Sequence, residues 1–139
     1  MNKFILLLVL LFSINNLSAQ ESNNGIKFFE GTLEQAKSKA LKESKPIFIF
    51  CRTVWDYGSK KMLSDVLTND EVGAFFNEKY INLTIDMEKG EGPSVAIEYD
   101  VTAYPFLLFT NSSGKKIQGS YGLETVERFI KKGEEALKK

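Results

Sequence analysis

Cys51 is the only cysteine in this chain of 139 residues, and the sequence contains no histidine. General acid–base catalysis most often uses histidine, and zinc sites in proteins are built mainly from histidine and cysteine. The inventory therefore weighs against both kinds of site, and we expect neither a metal nor a cofactor. A lone cysteine also excludes a disulfide bond within one chain, which leaves only an intermolecular or mixed disulfide.

Cys51 closes the apolar run PIFIFC at residues 46–51, which is typical of a strand that is covered on both faces. A cysteine in such a strand usually serves as a small buried hydrophobic residue, because no helix terminus lies there to lower its pKa. The neighbouring Arg52 leaves a second hypothesis open. In that hypothesis Cys51 performs monothiol disulfide exchange with an external thiol, which requires that its sulfur be accessible to solvent.

Asp56 and Ser59 are the next residues whose side chains could do chemistry. They stand three positions apart, with Tyr57 and Gly58 between them, and helical spacing resumes at Lys60. Short polar side chains at the start of a helix accept hydrogen bonds from unpaired backbone N–H groups, and an Asp there also complements the helix dipole. We therefore favour helix capping over catalysis for both residues.

The charged residues show no pattern that indicates a metal, a nucleic acid or a membrane as ligand. Carboxylates are scattered at Asp86, Glu88, Glu91 and Asp100, and their spacing is neither that of an EF-hand nor that of a catalytic acid pair. The chain carries 18 acidic and 18 basic residues, and this balance favours neither nucleic acid nor an anionic membrane as partner.

Residues 1–19 have the features of a secretory signal peptide: one Lys, an apolar run over residues 4–12 and a small-residue exit at Ala19. The apolar run is shorter than the roughly 20 residues of a membrane span, so we expect no membrane insertion once the signal is removed. Residues 20–25 are polar and predicted to be flexible, and residues 26–139 are predicted to form one domain. We therefore expect a periplasmic or secreted protein of a bacterial envelope.

The remaining sequence alternates strand-like and helix-like segments. Strands are expected at residues 26–30, 46–51, 80–86, 106–109 and 116–120, and helices at 32–44, 60–67 with 69–76, 93–99 and from residue 123 onwards. The order is therefore β-α-β-α-β-α-β-β-α. It predicts an α/β fold with a central mixed β-sheet and helices on both faces.

Four local features occur in an order that resembles the thioredoxin family, especially its exported thioredoxin-like members. PIFIFCRTVWDYGSKKM at residues 46–62 is similar to the family's strand, Trp-Cys-x-x-Cys-Lys-x-Met loop and helix. TAYP at residues 102–105 is similar to its cis-proline loop. YINLTIDMEKGEG at residues 80–92 resembles its middle strand and exit loop, and the closing hairpin and helix match as well. The resemblance implies a thioredoxin-like fold over roughly residues 26–138.

The redox residues of that family are missing. With Trp55 and Met62 as anchors, the two family cysteines fall at Asp56 and Ser59, and a carboxylate and a hydroxyl can neither form nor resolve a mixed disulfide. The family's buried acid, which assists proton transfer, falls at the apolar Phe50. The resemblance therefore implies a thioredoxin-like protein that lacks the CxxC cysteines.

What the resemblance retains is a groove for an extended peptide. Residues Trp55 to Ser59 would form it together with Tyr104 and Pro105, with a cis Tyr104–Pro105 bond as in the family. Backbone groups beside the proline would pair with a bound chain as a β-strand does, although Trp55 could equally fill the core. The leading hypothesis is thus a non-catalytic module that binds exported proteins or extended peptides. Besides the monothiol hypothesis, a third is a structural subunit of a larger envelope complex.

Overall fold

The computed structural model describes residues 25–139. The predicted signal peptide and residues 20–24 lie outside the described residues, so both assignments stay predictions. Across residues 25–139, none of the helices has the length and apolar character that crossing a bilayer demands.

Strands and helices alternate along the described chain, and a hairpin precedes the last helix. The strands are β1 (Ile47–Arg52), β2 (Ile81–Asp86), β3 (Phe106–Thr110) and β4 (Lys116–Tyr121). The helices are α1 (Leu33–Glu43), α2 (Tyr57–Met62), α3 (Asp70–Lys79), α4 (Gly92–Tyr99) and α5 (Val126–Ala136), and a π-helical turn (Leu63–Leu67) continues α2.

β1 lies inside a four-stranded sheet whose order is β2-β1-β3-β4. It runs parallel to β2 and antiparallel to β3, and β3 pairs with β4 as an antiparallel hairpin. A parallel pair needs a long crossover, which α2, the π-helical turn and α3 supply. The predicted mixed sheet is therefore confirmed, and the chain leaves the carboxyl end of β1 directly into the loop that the sequence marks as a site.

The sheet separates two hydrophobic cores, one on each face. Alternating residues of β1 enter them, because successive side chains of a strand point to opposite faces. Ile47, Ile49 and Cys51 pack with α1 and α4, whereas Phe48 and Phe50 pack with α2, α3 and α5. All five residues are fully buried, which explains the unbroken apolar run in the sequence.

One predicted element is wrong: residues 26–30 do not form a strand. The N–H of Ile26 donates to the C=O of Leu67 in the π-helical turn (2.8 Å), and the N–H of Phe29 donates to the C=O of Asn82 in β2 (2.7 Å). Because these bonds are divided between two elements, no strand ladder forms. The segment is apolar because its side chains contact the two cores.

Two helices begin three residues away from the predicted position, and a capping residue explains each of these shifts. α2 begins at Tyr57, three residues earlier than its apolar spacing indicates, because Asp56 is its N-cap. α5 begins at Val126 instead of Leu123, because Thr125 is the residue whose hydroxyl accepts the capping hydrogen bond. The capping residue therefore decides where each helix begins, whereas the apolar periodicity indicates only that a helix is present.

Candidate functional site

Asp56 and Ser59 meet at the start of α2. Oδ2 of Asp56 accepts a hydrogen bond from the backbone N–H of Ser59 at 2.6 Å. Ser59 is buried, and its hydroxyl has no hydrogen-bond partner among residues 25–139. A carboxylate engaged in capping and an enclosed hydroxyl cannot perform the chemistry of two thiols. The geometry agrees with the capping role that we favour for Asp56. The same prediction is wrong for Ser59, because its hydroxyl bonds to no group among residues 25–139 and only its backbone N–H takes part in the cap.

Gly58 brings the start of α2 against Pro105. A Cβ atom at Gly58 would lie 2.9 Å from Cδ of Pro105 and 3.3 Å from Oδ2 of Asp56, so any larger residue would force a shift. Pro105 is buried, and the Tyr104–Pro105 peptide bond is cis, as the resemblance implies. The two segments that the sequence assigns to a groove are therefore in direct contact.

Tyr104 presents unpaired main-chain groups at the same place. Within residues 25–139 neither its N–H nor its C=O makes a backbone hydrogen bond, whereas the C=O of the next residue, Pro105, accepts one from the N–H of Gly122 at 2.9 Å. The side chain of Tyr104 is half-buried and packs against the core that α1 and α4 cover. An unpaired donor and acceptor beside a strand are the groups with which an added extended chain can pair.

Trp55 directly precedes the Asp56 cap, and its side chain is hydrogen-bonded to Glu88. The indole is 63% exposed, so the alternative of a core filler is wrong. Its Nε1–H donates to Oε1 of Glu88 at 2.9 Å. Burial raises the pKa of the Tyr104 phenol most, and nearby Cys51 and Glu88 raise it further. Glu88 therefore lies near both aromatic side chains.

Further exposed apolar side chains are next in sequence to residues that contact Pro105, namely Gly58 and Gly122. Tyr57 is 73% exposed, and the hydrogen bond between Gly122 and Pro105 places exposed Tyr121 and Leu123 on either side of that bond. Contiguous exposed apolar surface is typical of an interaction site. We name this surface the proline groove and define it by Trp55, Tyr57, Tyr104, Pro105, Tyr121 and Leu123.

Sequence reasoning missed Glu88, Tyr121 and Leu123 as site residues. Glu88 is 33 positions from Trp55, and no local pattern links the two. The one signal in the sequence that could have indicated a further site residue is the aromatic Tyr121, which ends the last strand and precedes Gly122. Glu88 and Leu123 lie in loops and Tyr121 ends β4, so the place of each at the site depends on the tertiary fold.

A second cleft, of about 240 Å³, opens behind the loop. The cationic side chains of Arg52 and Lys60 border this cleft. Its remaining lining comes from Thr53, Val54, Ser59 and Leu63. Among residues 25–139, no cluster of three or more cysteine and carboxylate side chains is arranged to hold a metal ion.

Cys51 is sealed inside the sheet. Its exposed fraction is 0%, and its Sγ–H makes only a weak contact with the C=O of Ile49 at 3.9 Å. Burial raises the pKa of the thiol from 9.0 to about 12, although Lys116 opposes the shift. The monothiol hypothesis requires an accessible sulfur that ionises readily. The structure contradicts that requirement.

Fold and site together define a thioredoxin-like protein without redox cysteines. A family model described as thioredoxin-like matches residues 29–112, which is more than half of the chain. The chain therefore belongs to the thioredoxin-like family. A comparison with curated proteins finds no match.

Solved structures agree with this assignment. A proposed disulphide isomerase from Bacteroides thetaiotaomicron is 37% identical with a TM-score of 0.72, over 82% of this chain and 94% of that one. The DsbH oxidoreductase (20% identity, TM-score 0.72, 83% and 88% covered) and a thioredoxin from Thermus thermophilus (14%, 0.71, 81% and 88%) share the fold. The chain is thus related to a proposed disulphide isomerase, while its single cysteine is free.

Proposed function

We propose that this protein binds extended segments of other exported proteins in the proline groove and performs no redox catalysis. The main-chain groups of Tyr104 carry the proposal, because they are unpaired within residues 25–139 and directly precede Pro105, which lies against Gly58. The family's two cysteine positions hold a capping carboxylate and a buried hydroxyl. Binding is thereby retained without the residues for disulfide exchange.

Two kinds of contact would hold such a segment. Hydrogen bonds to Tyr104 would fix the main chain in an extended conformation whatever its sequence. The faces of Trp55, Tyr57 and Tyr121 would cover apolar side chains, at about 25 cal/mol for each Å² removed from water. Ordering a flexible chain offsets much of this gain, so we expect dissociation constants on the order of micromolar.

We also propose that residues 1–19 direct export and are then removed, which places the mature protein in the cell envelope. The apolar run and small-residue exit in the sequence support this location. N-terminal sequencing of protein recovered from the envelope should begin near Gln20. Recovery of the chain with Met1 from the cytoplasm would contradict the proposal.

Peptide binding can be measured through the fluorescence of Trp55, the only tryptophan of the chain. The probe is an end-blocked, tryptophan-free peptide of about ten residues with a Val-Phe-Val centre and Gln, Ser and Thr flanks. We expect a saturable change in Trp55 emission as the peptide is added. No saturation with this peptide up to about 1 mM would overturn the proposal.

A pair of proline variants locates the site. Pro105→Ala removes the ring that Gly58 and Tyr104 adjoin, and we expect it to weaken peptide binding about tenfold. Pro93→Ala, in the exposed first turn of α4, is the matched control and should leave the affinity unchanged. Equal affinities of both variants and the parent would place binding elsewhere. Stable co-purification with one protein and no peptide binding would favour the structural-subunit hypothesis.

A further inference from the structure

The carboxylate of Glu88 lies against an aromatic side chain of the proline groove. Oε1 of Glu88 accepts the hydrogen bond from Nε1 of Trp55 at 2.9 Å. This bond holds the indole by its edge, and the ring remains 63% exposed. Tyr104 lies close enough for the charge of Glu88 to act on its phenol. A ring face and an anion are therefore presented together to whatever occupies the groove.

The charge of Glu88 is not neutralised within the described chain. Across residues 25–139, no Lys or Arg nitrogen lies within 4.0 Å of its carboxylate, and Lys89, the next residue, forms no ion pair with it. Two nearby cations, Arg52 at the end of β1 and Lys60 in α2, border the other cleft. A bound cation would thus meet an anion without a competing partner.

We propose that the groove selects extended segments with a Lys or Arg next to an apolar residue, the cation lying over the face of Trp55 and against Glu88. This inference rests on the proposed function and names the class of segment that it takes. A cation over an exposed indole and an exposed ion pair each contribute modestly. We therefore expect a preference of about three- to tenfold over a neutral side chain, and salt should reduce it.

The test uses three end-blocked peptides with one Val-Phe-Val centre, flanked on both sides by Lys, by Gln or by Glu. Titrations at low ionic strength follow Trp55 emission. The Lys peptide should bind three- to tenfold more tightly than the Gln peptide, and the Glu peptide should bind more weakly than both. Raising the salt to about 0.5 M should bring the three affinities together, because screening is then strong.

Glu88→Gln separates the charge from the hydrogen bond, because the amide oxygen can still accept from the indole. This variant should keep the emission of the free protein and bind the Lys and Gln peptides with equal affinity. Glu88→Ala should also shift the emission of the free protein, since nothing then holds the indole. Glu134→Gln, an exposed acid on α5, is the control and should keep the Lys preference.

The outcomes distinguish this inference from the proposed function. If the Gln peptide binds but the Lys peptide gains nothing, the cation preference is overturned and peptide binding stands. If the Lys preference survives in Glu88→Gln, Glu88 is not its source and the assignment is overturned. If none of the three peptides binds, the proposed function fails, and this inference fails with it.

Discussion

β1 and the loop that follows it differ in the solvent exposure of their side chains. Cys51, the last apolar residue of the strand, is fully buried, and Trp55, four positions later, is 63% exposed. The strand has a partner on each edge and a core on each face, whereas the loop is anchored by the cap at Asp56 and the Trp55–Glu88 bond. The comparison teaches that the residue type with the most reactive side chain is here the inert one, because its position decides its access to solvent.

The largest expected effect tests the strand side of this comparison. The ring of Phe48 in β1 lies 5.3 Å from those of Phe76 and Phe109 and 5.1 Å from that of Phe129. Phe48→Ala should lower the free energy of unfolding by about 3–5 kcal/mol, because it opens a cavity among packed rings. Denaturant unfolding measures the loss. Peptide affinity of the folded variant should not change, and a loss of affinity without a loss of stability would break the comparison.

The thiol of Cys51 should make stability fall at alkaline pH. Below pH 9 it is protonated in both the folded and the unfolded chain, so it contributes no pH dependence. Above pH 9 the unfolded chain loses the proton, whereas the folded chain keeps it up to about pH 12. The free energy of unfolding should therefore fall by roughly 1.4 kcal/mol per pH unit in this window.

Cys51→Ala isolates this effect, because the variant lacks the thiol but keeps Tyr80, whose pKa burial also raises. Unfolding of parent and variant at pH 8, 9.5 and 10.5 should show a gap that changes in the variant's favour as the pH rises. A constant gap would contradict the burial of the thiol. Rapid modification of native Cys51 by a thiol reagent at neutral pH would contradict it as well.

A smaller effect is expected at the cap of α2. Asp56→Ala removes the acceptor for the N–H of Ser59 and should cost about 1 kcal/mol of stability. Asp56→Asn keeps a side-chain oxygen in the same place and should cost less. Thermal unfolding of the two variants compares them. Equal losses would assign the effect to the charge of Asp56 and not to its hydrogen bond.

The smallest effect on stability is expected at Tyr57, the most exposed side chain of the groove. Tyr57→Ser should change the free energy of unfolding by less than about 0.5 kcal/mol, yet weaken binding of the Gln peptide several-fold. Ile97→Ser on α4 is a matched control, since Ile97 is 85% exposed and lies outside the groove. Equal affinities in the two variants would show that Tyr57 does not contribute to peptide binding.

Much of the fold could be predicted from local patterns. The continuous apolar run of β1 predicted a covered strand because both faces are indeed covered, and Thr32 with Gln35 predicted the start of α1 because the capping box forms. The pattern failed at residues 26–30, where apolar side chains fill both cores although the backbone joins no ladder. Apolar content reports burial, and only the register of hydrogen bonds distinguishes a strand from a covering segment.

The site was predictable where the family resemblance supplied positions. It brought residues 55–59 and 104–105 together, and the structure places Gly58 against Pro105. The resemblance could not indicate Glu88, because its bond to Trp55 depends on where the loop after β2 lies relative to the loop after β1. Long-range contacts between exposed loops leave no periodic trace in a sequence.

The two backbone bonds of residues 26–30 have a consequence for the free edge of the sheet. One of these bonds joins the segment to Asn82 of β2, an edge strand whose unpaired main-chain groups could otherwise join another molecule. A protease that removed the chain through Glu30 would uncover that edge and invite self-association. The segment therefore covers the free edge of β2 at Asn82.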